Sequence, residues 1–544
     1  MKAESSSAGA KDELSQEGVP ETLRQRICRV LKEENVALRI IPVFLYGAIA
    51  CTARFLALYL RQLGLDAFRV GLILTIRPIL GFFCTPMWGF ISDRFKIWRF
   101  VFIISIIGTM LFGISVIFIP PAEREPCDIA ISNLATNLGV SYNYSTTFNQ
   151  SAYSRAYLNE LEKIMVEKKV FEDKTWLYDE RGVMVVFWEF MVAITLYELF
   201  FAANLSSLDV AIVRELKGNP KFYSKFRSFG SLGWIVGSLL SGGVLQYFRK
   251  VFTICGIDFT LTDYRCAFIL MACFYVAALP IACTLKYDNI QNDKEYDVKN
   301  FVMILIKPEN VSVYALAVFV GIVNSFGSYF YWHLENIGAS QLLMGTATAL
   351  RASAEMIWGL FFQSAVLERL GHINLLTLGL LLYAVRFFIL GILTNPILIL
   401  PIECVMGASY FAVWTTLVSY TVHSFPPQFT ATCIAFLCSL FHNLGPGIGT
   451  VLTGFLIEKY NSTTTCIVYC VSLCCFLVLF RLARWNFTDV QPEKESMNLI
   501  TDEEHEKDKM RESTQLNGTP TTQVQTPLPT VPKSYNSITK KGSS

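Results

Sequence analysis

Apolar runs of roughly 20 residues recur along this chain from Val36 to the region of Phe480. A helix of about 20 residues crosses the ~30 Å hydrocarbon core of a membrane, where no water satisfies backbone N–H and C=O groups. The composition agrees, since 53% of the residues are hydrophobic and only 17% are charged. We therefore predict an all-α integral membrane protein with twelve transmembrane helices. The predicted spans are 37–60, 69–91, 98–119, 183–212, 228–247, 265–285, 311–332, 343–366, 373–393, 397–421, 428–456 and 463–482.

An internal repeat divides these helices into two sets of six. Two glycines and an arginine of the first half return 274 residues later: Gly64, Gly71 and Arg77 as Gly338, Gly345 and Arg351. A parallel repeat of this kind predicts two six-helix bundles related by a pseudo-twofold axis. Two such bundles can enclose a site near the bilayer midplane and rock around it.

The repeat and the composition together predict five parts of the chain. A cytoplasmic N-terminal segment with an interfacial helix occupies 1–36, and the two bundles occupy 37–285 and 311–482. A cytoplasmic connection at 286–310 joins the bundles. The tail at 483–544 becomes charged and then rich in Thr, Ser and Pro, a composition typical of a disordered segment.

The distribution of Lys and Arg predicts the orientation. These residues are concentrated before the first span and in the second and fourth connections, which places those segments and both termini in the cytoplasm. The connection 120–182 is then external, and its sequons predict glycosylation at Asn143 and Asn149. We expect a multi-pass protein of the plasma membrane rather than of an organelle.

Three of the 15 cysteines fall in predicted external connections, namely Cys127, Cys255 and Cys266. An external position permits oxidation, so one disulfide among them is expected. The pairing is open.

The segment from Gly89 to Arg99 follows the second predicted span. It reads Gly-Phe-Ile-Ser-Asp-Arg-Phe-Lys-Ile-Trp-Arg and resembles the signature that the major facilitator superfamily places between its second and third helices. Ile97 stands where a glycine is common. The resemblance implies a cytoplasmic gating motif, in which Asp93 and Arg94 either latch neighbouring helices or contact substrate.

A narrower resemblance rests on segments that begin at Tyr59, Arg227, Arg351 and Gly371. They read Tyr-Leu-Arg-Gln-Leu-Gly, Arg-Ser-Phe-Gly-Ser-Leu-Gly-Trp, Arg-Ala-Ser-Ala-Glu and Gly-His-Ile-Asn. These segments are similar to the eukaryotic group called major facilitator superfamily domain-containing protein 6, which is in turn similar to the bacterial lactose permease family of oligosaccharide and proton symporters. The resemblance implies the major facilitator fold from the first span to the last.

Charged side chains inside the spans are candidates for function, because each costs about 2.5 to 3.5 kcal/mol at the bilayer centre and must face protein or water. The candidates are Arg77, Glu198, Arg351, Glu355, Arg386 and Glu403, with Arg54 in the first span. Arg351 and Glu355 are one helical turn apart, so mutual neutralisation is one interpretation. The repeat-related Arg77 and Arg351 are interpreted as symmetric braces of the two halves, with a ligand role as the alternative.

Asp209, Arg227 and Trp234 form the candidate solute site. An acid that ends the fourth span and an arginine that opens the fifth can converge on a polar solute, and Trp234 follows on the same helix face and can stack on an apolar ring face. In the lactose permease family an acid, an arginine and a tryptophan at these spacings bind the sugar. The alternative is a structural Asp–Arg salt bridge beside a packed tryptophan.

Proton coupling is less well supported by the resemblance. Arg386 matches the ninth-helix arginine of the lactose permease family, but Met406 and Ser409 stand at its tenth-helix histidine and glutamate positions. A coupling proton would then depend on Glu355, Glu403 and His442, since burial brings a carboxyl group toward protonation at physiological pH. A packing role is the alternative for His442.

These observations predict a secondary active transporter, a symporter or facilitator, that moves a small polar organic solute by alternating access. The alternative is a transporter-fold receptor or accessory protein that binds a protein partner through its external loop and does not transport. We expect no enzyme, no cofactor, no metal site and no nucleic-acid partner, because the sequence has no metal-ligand spacing, no nucleophile motif and no phosphate loop.

Overall fold

The computed structural model of the protein describes residues 36–127, 129–130, 177–215, 223–254, 257–285, 306–424 and 430–484. Within these ranges it describes the backbone alone at 93, 213–215, 223–228, 254, 257–260 and 430–432. The predicted interfacial helix, the two sequons, most of the central connection and nearly all of the tail lie outside the described residues.

Within the described residues, the structure gives bounds for seven α-helices of the first half and eight of the second. The first-half helices are α1 (Val36–Thr52), α2 (Leu56–Gln62), α3 (Ala67–Phe95), α4 (Trp98–Ser115), α5 (Glu180–Glu215), α6 (Tyr223–Tyr247) and α7 (Arg265–Thr284). The second-half helices are α8 (Pro308–Asn324), α9 (Phe326–Asn336), α10 (Gln341–Ile357), α11 (Gln363–Leu370), α12 (His372–Ile392), α13 (Ile399–Ser424), α14 (Thr430–Cys438) and α15 (Gly445–Ala483). Short π-helical turns at Trp358–Phe362 and Ser439–Leu444 join α10 to α11 and α14 to α15.

Among the described residues, ten helical stretches are long and apolar enough to cross a membrane. The all-α membrane fold is thus confirmed, whereas the count of twelve stays a prediction. The difference arises at two places. The helix pair α10 and α11 is not among the ten, and one stretch, Cys433–Ala483, contains the backbone break at Asn461, whose φ of 70° is not helical.

Helix packing follows the same pattern in both halves. Helix α1 packs on α6 and α3 packs on α5, just as α8 packs on α15 and α10 packs on α13. Between the halves, α3 packs on α15 and α6 packs on α10. Because the repeat maps α3 onto α10 and α6 onto the α14–α15 segment, each of these contacts has a counterpart in the other half. The pseudo-twofold arrangement is therefore present in the packing.

The repeated residues occupy equivalent turns. Gly64 and Gly338 both have left-handed backbones, with φ of 106° and 82°, which glycine adopts without the steric cost that a Cβ adds. Two residues later Asp66 and Ser340 each cap the following helix, because their side chains accept a hydrogen bond from the backbone N–H three residues on. The turn that starts α3 is thus built again at the start of α10.

The repeated Gly71 and Gly345 lie where backbones of the two halves approach closely. A Cβ at Gly71 would lie 2.7 Å from the backbone oxygen of Thr450, and a Cβ at Gly345 would lie 2.4 Å from that of Ser238. Small residues let helix backbones approach in a membrane, where packing rather than the hydrophobic effect drives association. Gly71 therefore allows the close α3–α15 contact between the halves, and its counterpart Gly345 allows the close α6–α10 contact.

A β-hairpin between α6 and α7 was not predicted. Strands β1 (Arg249–Ile254) and β2 (Ile257–Thr262) pair antiparallel, with Ile254 opposite Ile257. The long connection begins and ends beside this hairpin, where Arg124 and Tyr178 form a β-bridge and the Tyr178 hydroxyl donates to the Gln62 carbonyl at 3.0 Å.

The structure narrows the open choice among the three cysteines. Cys127 is disulfide-bonded, whereas Cys266 carries a free thiol and therefore takes no part in the expected disulfide. Cys255 lies outside the described residues. Cys266 is the second residue of α7, where it packs against the apolar core.

Candidate solute-binding site

Buried charges of the second half meet in one network between three helices. Glu403 on α13 is fully buried, and its Oε1 accepts hydrogen bonds from Arg386 of α12, at 2.7 Å from Nη2 and 3.0 Å from Nε. Its other oxygen lies 3.9 Å from Nη1 of Arg351 on α10. One carboxylate thus lies between two guanidinium groups, an arrangement that offsets part of the cost of burying all three.

Arg351 also pairs along its own helix. Its Nε donates to Glu355 Oε1 at 3.0 Å, and its guanidinium lies over the ring of Tyr410 at 5.0 Å from the centroid. Glu355 is the last acid before the π-helical turn that ends α10. The sequence-based interpretation of mutual neutralisation at i, i+4 matches this geometry.

The first half holds a single ion pair at the repeat-related position. Arg77 of α3 donates through Nε to Glu198 of α5 at 3.1 Å, and its guanidinium lies 5.6 Å and 5.4 Å from the ring centroids of Tyr197 and Phe201. Each repeated arginine therefore pairs inside its own half rather than across the interface. Next to this pair, a Cβ on Gly81 would lie 3.7 Å from Glu198 and 3.6 Å from Asn443 of the second half, so the pair lies close to the interface.

Arg54 links the two halves at the level of two helix breaks. The first span is interrupted between α1 and α2, and the seventh is interrupted at Ser325 between α8 and α9. Arg54 lies in the first break, and its Nη1 donates to the carbonyl of Gly327, next to the second break, at 2.6 Å. The backbone keeps right-handed helical angles at Phe55 and at Ser325, so each span continues across its break without unwinding.

We call five side chains the central cluster: Arg54, Arg351, Glu355, Arg386 and Glu403. The charged groups that act electrostatically on Arg54 are the other four members of the cluster: Arg351, Glu403, Arg386 and Glu355. The Arg77–Glu198 pair of the first half and the central cluster, which lies mainly in the second half, are thus two separate polar sites.

The two halves are also joined at the ends of the helices that we predict to be external. Arg61 Nη1 contacts Glu335 at 3.1 Å and Asn336 at 2.9 Å, and its guanidinium stacks on Trp332 at 4.6 Å. The Ala67 N–H donates to Glu458 at 3.0 Å. These contacts, with those of Gly71 and Gly345, occupy the predicted external half of the interface.

The structure describes the predicted solute site only in part. Asp209 on α5 and Trp234 on α6 are half-buried, and these two helices contact each other. The side chain of Arg227 lies outside the described side chains, so convergence of the three residues stays a prediction. His442 lies in the π-helical turn of the eleventh span, is exposed, and has its ring 4.7 Å from that of Trp414. π-Helical turns are frequent at functional sites.

The expected gating motif lies at the turn from α3 to α4. The left-handed residue there is Lys96, with φ of 57°, while Ile97 has φ of −111° and needs no glycine. Arg99 donates to the carbonyl of Cys283 on α7, and a Cβ on Gly89 would meet no atom within 4 Å. The Asp93 side chain lies outside the described side chains. Arg99 therefore ties α4 to α7 in this state.

Sequence reasoning missed the pair Arg61–Glu335, although its signal was present. The two residues occupy equivalent positions of the repeat, 274 residues apart, in the matched segments Tyr-Leu-Arg-Gln-Leu-Gly and His-Leu-Glu-Asn-Ile-Gly. Equivalent residues of two halves can touch only close to the symmetry axis. Opposite charges at equivalent positions would have predicted a salt bridge on that axis.

Within the described part of the chain, no group of three or more His, Cys, Asp or Glu side chains is placed to hold a metal ion. The arrangement is instead two bundles of apolar helices with ion pairs buried beside the surface where they meet. That combination defines the fold of a major facilitator transporter.

Comparison with known proteins gives the family. The model of the MFS_1 like family matches residues 36–468, and the chain belongs to this family. The human protein "Major facilitator superfamily domain-containing protein 6-like" is 20% identical over 513 residues, which cover 79% of this chain and 87% of that protein. The Xenopus laevis "Major facilitator superfamily domain-containing protein 6-like protein B" is 23% identical over 284 residues, and the match spans 52% of this chain but only 45% of that relative.

Solved structures agree in fold. The nucleoside transporter NupG superposes with a TM-score of 0.57 at 11% identity, covering 84% of this chain and 99% of that chain. A D-xylose-proton symporter superposes with a TM-score of 0.52 at 15% identity, covering 84% of this chain and 98% of that chain. Likeness at these identities shows the fold alone.

Proposed function

We propose that this protein is a secondary active transporter that moves a small polar organic solute by alternating access. The observation that carries the proposal is the Arg54–Gly327 contact, which joins two helix breaks from opposite halves beside the central cluster. Charged groups are expensive inside a membrane and persist where they serve an aqueous or ligand-bound path. A carrier needs such a path at the surface between its two halves.

The contacts between the halves support an alternating mechanism. They lie at the ends of α2, α3, α9 and α10 that we propose to be external, with Arg61–Glu335 on the symmetry axis. Rocking of one half against the other would break these contacts and open the opposite end. The state described here is then the one closed toward the outside.

We propose the following orientation and division of the chain. Both termini are cytoplasmic, the protein resides in the plasma membrane, and the bundles comprise 37–285 and 311–482. The connection 120–182 is external and glycosylated at Asn143 and Asn149. The grounds are the distribution of Lys and Arg and the sequons.

Two further assignments come from the sequence, the first from the family resemblance and the second from the titratable side chains of the spans. Asp209, Arg227 and Trp234 contact the solute from the first half, and Glu355, Glu403 and His442 are the groups through which a proton would be coupled. Glu355 is the most accessible acid of the central cluster, with 22% of its side chain exposed against 1% for Glu403, so Glu355 is the first candidate to exchange a proton.

Uptake into proteoliposomes tests the proposal. The full chain is assayed with sugars, nucleosides, amino acids and amines, with and without a pH gradient. We expect saturable uptake of at least one class, and its loss in Glu355→Gln. Glu309→Gln is the matched control, since Glu309 is exposed at the first turn of α8. Absence of saturable uptake with every class would refute transport.

A further inference from the structure

The central cluster contains more positive than negative charge. Its guanidinium groups belong to Arg54, Arg351 and Arg386, and its carboxylates to Glu355 and Glu403. The hydrogen bonds assign the carboxylates to two of the arginines, since Glu403 pairs with Arg386 and Glu355 with Arg351. With all five groups ionised, the cluster carries one excess positive charge.

Arg54 carries that excess. Its Nη1 donates to a backbone carbonyl, that of Gly327, which accepts a hydrogen bond but brings no negative charge. Arg351 and Arg386 repel Arg54, whereas Glu403 and Glu355 attract it, so the four other charges of the cluster balance and that of Arg54 remains. A guanidinium in this setting favours any anion that can reach it, because the anion neutralises the excess charge of the cluster and supplies acceptors for a planar fork of donors.

The position of Arg54 lets a ligand reach it. Arg54 is half-buried, whereas Arg386 and Glu403 keep only 5% and 1% of their side chains exposed. It also lies at the break between α1 and α2, the segment that faces the corresponding break between α8 and α9 of the other half. The excess charge thus occupies the accessible edge of the cluster, at the surface where the two halves meet.

The opposite half does not cancel the charge. Its repeat-related site holds one arginine and one glutamate, Arg77 and Glu198, which pair with each other at 3.1 Å. The two polar sites together therefore keep the excess of one positive charge, which a solute with one negative charge would neutralise.

We infer that the transported solute is an organic anion whose carboxylate or phosphate group is bound by Arg54. On binding, Arg54 exchanges the Gly327 carbonyl for the oxygens of the anion, and the link between the two halves changes from a direct contact to one through the solute. This inference rests on the proposed transport function and adds the substrate class to it. The names of the similar solved structures mention nucleosides and D-xylose, which are neutral, so the inference separates this chain from them.

Matched pairs of solutes that differ in charge test the inference. The probes are glucuronate against glucose, nicotinate against nicotinamide, and uridine monophosphate against uridine, which sample carboxylate and phosphate separately. For each probe at millimolar concentration we measure the midpoint of thermal unfolding of the full chain in a neutral detergent, together with uptake into liposomes of uncharged lipid. A ligand that binds the folded state raises this midpoint.

The expected result is that an anionic member raises the midpoint and is taken up, while its neutral partner does neither. In Arg54→Gln, which removes the charge but keeps a donor for Gly327, affinity for that anion falls roughly tenfold or more, the effect of losing a charged hydrogen bond. Arg54→Lys retains part of the affinity. Lys307→Gln, the same change of charge at an exposed position, leaves it unchanged.

Several outcomes would overturn the inference. Uptake of neutral members at the same rate as their anionic partners would refute the anionic class while leaving transport intact. Unchanged anion affinity in Arg54→Gln would refute the role of Arg54, and if that variant fails to fold, the wild-type comparison still decides the class. No binding and no uptake with any probe would count against transport itself.

Discussion

The two halves share one backbone plan and differ in the charges built on it. Both halves place a left-handed glycine, a capped helix start, a close-contact glycine and an arginine at equivalent positions. The first half then adds one acid to its arginine, whereas the second half assembles three arginine and glutamate side chains around Arg351, with Arg54 contributed by the first half. The repeat therefore fixes how helices pack, and the departures from it mark where function resides.

The largest difference between the halves is expected for their buried glutamates. Glu403→Gln leaves Arg386 buried without its carboxylate and removes the shared partner of Arg351, so stability should fall by about 3–5 kcal/mol, as when one partner of a buried pair is lost. Glu198→Gln leaves Arg77, whose side chain is 21% exposed and stacked on aromatic rings, and should cost about 1–3 kcal/mol.

The stability losses of Glu403→Gln and Glu198→Gln are measured by thermal unfolding of the purified variants and by the yield of monodisperse protein. A double variant, Arg386→Met with Glu403→Leu, should recover part of the loss, because an apolar pair replaces the buried ions. Equal losses for Glu403→Gln and Glu198→Gln would mean that the two polar sites are energetically alike.

Substitution of Gly71 and Gly345, the glycines at the contacts between the halves, should give the next largest loss of stability. Gly345→Ala would place a Cβ 2.4 Å from the Ser238 oxygen and Gly71→Ala one 2.7 Å from the Thr450 oxygen, so each should cost about 1–3 kcal/mol through overpacking. Gly243→Ala is the control, since its Cβ would meet nothing within 4 Å and alanine favours the helix by up to about 1 kcal/mol. If Gly243→Ala cost as much stability as the other two substitutions, close approach of the backbones would not be the cause of their effect.

The Arg61–Glu335 salt bridge on the symmetry axis should contribute less to stability than the contact glycines do. Arg61 is buried and Glu335 is one-third exposed, and partly exposed pairs couple by about 1 kcal/mol or less. A double-mutant cycle with Arg61→Gln and Glu335→Gln should show coupling of that size in the state closed toward the outside. Zero coupling would mean that stacking of Arg61 on Trp332 alone holds this end.

The turns between the second and third predicted spans of each half should respond to substitution in opposite directions. Lys96 adopts φ of 57°, and its counterpart Gly371 has φ of 74°. Lys96→Gly should stabilise the protein by about 0.4–1 kcal/mol, and Gly371→Ala should destabilise it by about 1–2 kcal/mol. The two substitutions should shift the midpoint of thermal unfolding in opposite directions. A lower midpoint for Lys96→Gly would contradict the prediction.

The sequence predicted the fold well because long apolar runs leave the backbone few alternatives, and because a repeat at a fixed offset exposes equivalent turns. The hairpin was missed although β-branched and aromatic residues flank Cys255-Gly256, a signal that the apolar spans on either side obscured. The breaks near Arg54 and Ser325 have no proline, and the first has no glycine, so contacts between the halves rather than local preference place them. The pairs Arg77–Glu198 and Arg386–Glu403 likewise depend on packing between helices that spacing does not encode, whereas Arg351–Glu355 follows from its i, i+4 spacing.

Distance measurements at the two ends of the molecule test alternating access most directly. Spin labels introduced through genetically encoded residues at Lys96 and Arg369 report the predicted cytoplasmic end, and labels at Lys250 and Lys459 report the predicted external end; all four positions are exposed. We predict that a transported solute shifts the two distances in opposite directions, so that one end closes as the other opens. Distances that stay fixed at both ends while solute is transported, or that change in the same direction, would contradict alternating access between the two halves.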